Sequence, residues 1–267
     1  MQQITAVTPT ICELMGIPPP NLSTKETIRR IIESSMSVIG NSAMEKCLIY
    51  APDAIGDSLF QDYPEDFEPV IELAPIDVKL FSVFPTKTPV CFASMFTGAL
   101  PEQHGIRKYE KPVLTCDTIF DALLRKGKRI AIAAVADSSI SLIFRNRALD
   151  YYIEENDQRV NDRVLELMER DYDLILIYNQ EYDDTMHRTT PRSADSLAAM
   201  RRHISSFEKL SGAFLARYED FNRMILFSPD HGTHIDPVTG KGDHGLDTPE
   251  DMEVRSFWGI YAKTNRI

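Results

Sequence analysis

The stretch Leu174-Ile175-Leu176-Ile177-Tyr178-Asn179-Gln180-Glu181-Tyr182-Asp183-Asp184-Thr185-Met186-His187 decides the fold. Five largely apolar residues run without a break and then give way to a polar, acidic segment. A run that lacks in–out alternation suits a strand covered on both faces. Working outward, the same kind of run recurs at 47–51, 78–84, 129–135, 224–228 and 257–262. Helical patterns separate these runs at 25–38, 116–126, 157–170 and Ala194–Arg217. In the last of them Leu197, Met200, Ile204, Phe207, Leu210 and Phe214 recur at steps of three and four, which lines one helix face. The alternation predicts an α/β fold of three layers, with helices on both sides of a mostly parallel central sheet.

Composition narrows the partners. With 29 Lys+Arg against 40 Asp+Glu the net charge is −11, which argues against a nucleic-acid groove or an anionic membrane surface. A small phosphorylated substrate stays possible if metal ions supply positive charge locally. No apolar run approaches the ~18 residues of a membrane span. Cys12, Cys47, Cys91 and Cys116 lie far apart with no CxxC pair, so neither a zinc knuckle nor a dense disulfide framework is indicated. The start, Met1-Gln2-Gln3-Ile4-Thr5, has no basic flank or apolar run, and the expected location is the cytoplasm with reduced thiols. The 267 residues are read as a single domain.

Open α/β sheets bind ligands at the C-terminal ends of their strands. Asp53 follows the run 47–51, Thr86-Lys87-Thr88 follows 78–84, Asp183 and His187 follow 174–178, and Asp230 and His231 follow 224–228. With His244 these make three carboxylates and three histidines, too many for one catalytic ion that must keep an open position. They suit two divalent ions, zinc first and manganese second, with a phosphoryl oxygen clamped between. Thr88 opens the helix-like segment 89–97. Its hydroxyl is a nucleophile if a cation stabilises the alkoxide, and the helix amides are expected to help hold the anion.

The segment from Phe84-Pro85-Thr86-Lys87-Thr88-Pro89 to Thr97-Gly98-Ala99-Leu100-Pro101-Glu102-Gln103-His104-Gly105 resembles the nucleophile segment of the alkaline phosphatase superfamily, in its type I phosphodiesterase/nucleotide pyrophosphatase branch. Asp183 to His187, Ser228-Pro229-Asp230-His231-Gly232 and Gly242-Asp243-His244-Gly245 are similar to its metal-binding elements, in the same order. The resemblance implies an alkaline-phosphatase-like fold and a phosphodiesterase working through a phosphothreonine at Thr88. It implies that Asp183, His187 and His244 hold one ion, while Asp53, Thr88, Asp230 and His231 hold the other. A nucleotide or another phosphodiester is the implied substrate. Cys91 stands where the family is expected to carry an oxyanion-assisting Asn. Residues 8–18 are similar to an element the superfamily carries near its C-terminus, so 1–20 are expected to pack at the sheet edge beside the last strand.

Rival readings are a phosphomonoesterase, phosphomutase or phosphonate hydrolase of the same superfamily, with Lys87, Arg188 and Lys241 as candidate extra cations. A non-catalytic, metal-stabilised binding protein is a third. His104 is expected to be structural, His203 to lie on a solvated face beside Arg201 and Arg202, and His234 to be a loop residue. Asp57 competes with Asp53, and Asp184 and Asp243 are candidates to orient ligand histidines.

Overall fold

The computed structural model describes residues 2–264. Seven strands form the central sheet: β1 (Lys46–Pro52), β2 (Ile76–Phe81), β3 (Ile130–Val135), β4 (Asp150–Glu154), β5 (Leu174–Asn179), β6 (Arg223–Phe227) and, last in the chain, Glu253–Tyr261. Before that last strand, β7 (His234–Ile235) and β8 (Gly242–Asp243) pair in a small ribbon, so it is β9. The order across the sheet is β2-β9-β6-β1-β5-β3-β4, and β9 alone runs antiparallel to its neighbours.

Alternate residues of each strand feed two cores. Cys47, Ile49, Ala51, Leu174, Leu176, Tyr178, Met224 and Leu226 face one side, where the helices Val7–Leu14, Arg29–Ile39, Thr88–Thr97 and Ile119–Leu124 pack. Leu48, Tyr50, Ile175, Ile177, Ile225 and Phe227 face the other, beneath Asp57–Asp62, Glu68–Leu73, Asp157–Leu167 and Ala194–Arg217. This is the three-layer architecture that unbroken apolar strands demand, since each face must be dried by helices. Among the described residues no helix is long and apolar enough to cross a membrane.

Several boundaries move for local reasons. The first predicted helix begins only at Arg29, because Ile28 is extended and its N–H donates to Thr10 Oγ1 at 2.8 Å. The next shrinks to Ile119–Leu124, where Thr118 and Asp121 form a reciprocal cap at its start. Strand β4 has no apolar run to announce it, as a half-exposed edge strand needs none. His203 is the clear correction. It is buried with 2% exposure, because it falls on the same helix face as Met200 and Phe207, three and four residues away.

At the N-terminus, Gln3 bridges Phe81 and Gln2 O accepts from Phe81 N–H at 2.9 Å. Gln3 therefore meets the outer edge of β2, the strand that flanks β9, while the helix Val7–Leu14 that follows packs in the core on one face of the sheet. The three central strands, β6, β1 and β5, end side by side, and the candidate residues gather there.

Candidate metal centre

Asp53 leaves the end of β1, and Asp230 and His231 follow β6 by three and four residues. The turn that carries this pair needs glycine next. A Cβ on Gly232 would stand 2.0 Å from Glu250 O and 3.2 Å from Gly56 Cα. Asp183 and His187 lie four apart on the helix Glu181–Arg188, which puts both on one face. Gly242 packs against that helix so closely that a Cβ would meet Met186 O at 2.6 Å. This approach lets Gly242 O bond His187 Nδ1 at 3.0 Å.

The structure brings all seven candidate residues together, six of them in two groups with Thr88 beside one. One is Asp183, His187 and His244, the other Asp53, Asp230 and His231, and within each the donor atoms lie within 4.8 Å of one another. His187 Nε2 is 3.4 Å and His244 Nε2 3.5 Å from Asp183 Oδ1. His231 Nε2 is 3.3 Å from Asp230 Oδ2 and 3.5 Å from Asp53 Oδ1. Thr88 Oγ1 lies 3.3 Å from His231 Nε2 and 3.4 Å from Asp53 Oδ1.

The same arrangement recurs in all three histidines. Each bonds a backbone carbonyl through Nδ1: Gly242 O for His187, Gly232 O at 3.0 Å for His231 and Thr86 O at 2.6 Å for His244. A carbonyl only accepts, so Nδ1 carries the proton and Nε2 turns its lone pair inward. Lone pairs then face carboxylate oxygens. Asp183 Oδ1 and Asp230 Oδ2 are buried with no hydrogen-bond partner among the described residues. Burial and mutual repulsion push Asp53, Asp183 and Asp230 well above the usual carboxylate range. Burial and the neighbouring His244 hold His231 far below its ordinary value, and burial with Lys87 brings His244 down to about 3. Buried acceptors with nothing to accept from are costly, and a pair of cations is the partner this donor set fits.

Other residues that the sequence singles out lie outside the two groups. Cys91 is fully buried, its Sγ 3.2 Å from Ser82 Oγ, so its side chain packs in the core. The helix Thr88–Thr97 offers fewer amides than expected, since Pro89 has none and the Val90 and Cys91 N–H groups bond Lys87 O. Among the described residues no backbone carbonyl takes the Thr88 N–H, which leaves it for a ligand. Asp57 pairs with Arg255 at 2.7 Å and Lys79 at 3.2 Å, away from the two groups. His104 is held by Ser94 Oγ at 2.8 Å. Lys87 Nζ donates to His244 O and sits 3.5 Å from Asp243, so with Thr86 it clamps the His244 loop.

Two supporting residues escaped the sequence reading. Tyr178, at the end of β5, donates its hydroxyl proton to Asp53 Oδ2; as the one polar tip in an apolar run, it was the signal. Asp251 accepts from Gly245 N–H at 2.7 Å and Leu246 N–H at 2.8 Å and pairs with His234 at 2.8 Å, fixing the loop after His244. A cleft of about 590 Å³ opens over the groups, its far wall built by Tyr109, Lys111, Ser138 and Ser139.

Solved structures share this three-layer fold. Murine ectonucleotide pyrophosphatase/phosphodiesterase 5, in an inactive form with a threonine changed to alanine and bound to AMP, superposes with a TM-score of 0.54 at 19% identity, over 71% of this chain and 57% of that one. Phosphonoacetate hydrolase from Sinorhizobium meliloti 1021, bound to phosphonoformate, gives 0.55 at 15% identity over the same shares. By sequence, residues 75–118 match the type I phosphodiesterase/nucleotide pyrophosphatase family model. The matched segment contains Thr88. The chain spans 57% of the length of these solved relatives, and no curated protein matches it by sequence.

Proposed function

We propose that the protein is a two-metal phosphoryl hydrolase in which Thr88 is the nucleophile and a small phosphodiester, such as a nucleotide derivative, is the substrate. The observation that carries this reading is Thr88 Oγ1, 3.3 Å from His231 Nε2 and 3.4 Å from Asp53 Oδ1, at the mouth of a paired set of inward-facing donors. Asp183, His187 and His244 would hold one divalent ion, and Asp53, Thr88, Asp230 and His231 the other, with zinc the first choice for the Asp/His set and manganese the second. Such ions supply Lewis-acid polarisation and a lowered hydroxyl pKa. Thr88 Oγ1 then forms a bond to phosphorus as the ester P–O bond breaks, and the leaving alkoxide takes up a proton. Water cleaves the resulting phosphothreonine and restores the hydroxyl. The Thr88 N–H, at the start of its helix, is positioned to hold an oxygen of the crowded phosphorus.

Support from relatives is consistent with this. The murine neighbour was made inactive by a Thr-to-Ala change and carries a nucleotide, and the matched family cleaves phosphodiesters and pyrophosphates by name. A second reading, a phosphonate or monoester hydrolase, is favoured by Lys111. This cation lines the cleft, donates to Asp137 O at 2.8 Å and pairs with no carboxylate among the described residues, so it is available to an additional negative charge. Four free cysteines, three of them buried, fit a reducing cytoplasm. Zinc-loaded protein should hydrolyse bis-p-nitrophenyl phosphate faster than p-nitrophenyl phosphate; the reverse order would select the second reading.

A further inference from the structure

The helix Glu181–Arg188 brings two of the proposed ligands, and its leading amides are held from outside by side chains. Gln180 N–H donates to Asp157 Oδ1 at 3.0 Å and Glu181 N–H to Asp157 Oδ2 at 2.9 Å. Tyr182 N–H, the next in line, donates to His203 Nε2 at 3.2 Å. Three consecutive donors that no helical carbonyl can reach are thereby satisfied. Because an amide only donates, His203 Nε2 is the accepting nitrogen and Nδ1 bears the proton, 3.1 Å from Tyr50 Oη.

That ring is locked in turn. Tyr50 Oη lies 2.9 Å from Asn179 Nδ2, which is 2.8 Å from Asn161 Oδ1, and Asn161 Nδ2 reaches Ser206 Oγ at 3.0 Å. Tyr50, Asn179 and His203 are all at most 2% exposed. The grip comes from β1, β5 and the helices Asp157–Leu167 and Ala194–Arg217 together, so it fixes both the height and the rotation of the ligand helix.

Only one group rides on that helix. Asp183 and His187 ride on that helix and must meet His244, which arrives on a separate loop after β8. Asp53, Asp230 and His231 hang from strand ends, and among the described residues no hydrogen bond joins them to Asp157 or His203. We propose that Asp157 and His203 are positioning residues for the Asp183–His187–His244 ion alone; the proposal rests on the two-ion reading above. If so, loosening either should move Asp183 and His187 off their common target without disturbing the other ion.

The test is a titration of metal-free protein with Co²⁺, read by visible absorption and by a competing chelator. Wild type should take up two ions, with His187→Ala identifying which absorption band belongs to the Asp183 group. Asp157→Asn and His203→Phe should weaken that ion about 10- to 100-fold, the scale on which outer partners tune a metal site, and leave the second ion unchanged. His203→Gln, whose side-chain oxygen can still accept from Tyr182 N–H, should recover most of the loss. Equal weakening of both ions, or a fall in melting temperature with both affinities intact, would overturn the proposal, because a general stabilising role predicts those results. Should His203→Phe not fold, Asp157→Asn and His203→Gln decide it by the same comparison. Fewer than two ions in wild type would instead sink the two-ion reading itself.

Discussion

His231 and His244 stack with ring centroids 4.0 Å apart and planes inclined by 22°. One belongs to the group at the end of β1 and β6, the other to the group on the helix Glu181–Arg188. Their contact makes the two groups share a wall, so any ions they hold are neighbours. Two imidazolium rings face to face would repel, and burial first of all keeps both well below the ordinary histidine value, helped by His244 beside His231 and by Lys87 beside His244.

Thr88→Ala should remove turnover while leaving ion uptake nearly intact, because Asp53, Asp230 and His231 remain. A loss of roughly 10⁴-fold or more in kcat is expected for a missing nucleophile. Thr88→Ser, which keeps the hydroxyl, should retain part of the rate. Rates within tenfold of wild type for Thr88→Ala would remove Thr88 from the chemistry.

Tyr178→Phe deletes one oxygen and strands Asp53 Oδ2, which has the Tyr178 hydroxyl as its donor. The cost in urea unfolding should be about 1–3 kcal/mol, the scale of a buried charged acceptor left unpaired. An unchanged midpoint would show that the hydroxyl does not support Asp53.

His104 supplies the pH test. Burial pushes it down to about 4 from the usual 6.5, while Ser94 Oγ bonds Nε2 and the Ile106 N–H donates to Nδ1. With its folded value below the unfolded one, the unfolded chain binds the extra proton between those limits. Stability is therefore full above about pH 6.5 and is lost as pH falls toward 4, at up to about 1.4 kcal/mol per pH unit. In metal-free protein, His104→Gln should flatten the fall of stability between pH 6.5 and 4 relative to wild type. Parallel curves for the two proteins would contradict the assignment.

Much of this was legible in the chain. The run Leu174 to Tyr178 reads as a doubly covered strand because each residue packs on one of two helix layers, and the spacing from Leu197 to Phe214 falls within the Ala194–Arg217 helix end to end. The candidate ligands are visible because a sheet collects them at strand ends that the apolar runs locate. What stayed hidden depends on three-dimensional neighbours. Strand β4 is held by its partner β3 and not by an apolar signature. His203 looks solvated beside Arg201 and Arg202, yet the three-residue step from Met200 turns it inward to Tyr50. The Gln3 bridge to Phe81 joins residues whose sequence separation leaves no local trace.

Paired ions beside Thr88 are the centre of this account, and crystals grown with zinc measure them directly through anomalous scattering at the zinc edge. Two peaks are predicted, roughly 3.5–4 Å apart, one bounded by Asp183, His187 and His244, the other by Asp53, Asp230, His231 and the Thr88 hydroxyl. A single peak, or zinc bound only elsewhere on the surface, would contradict it.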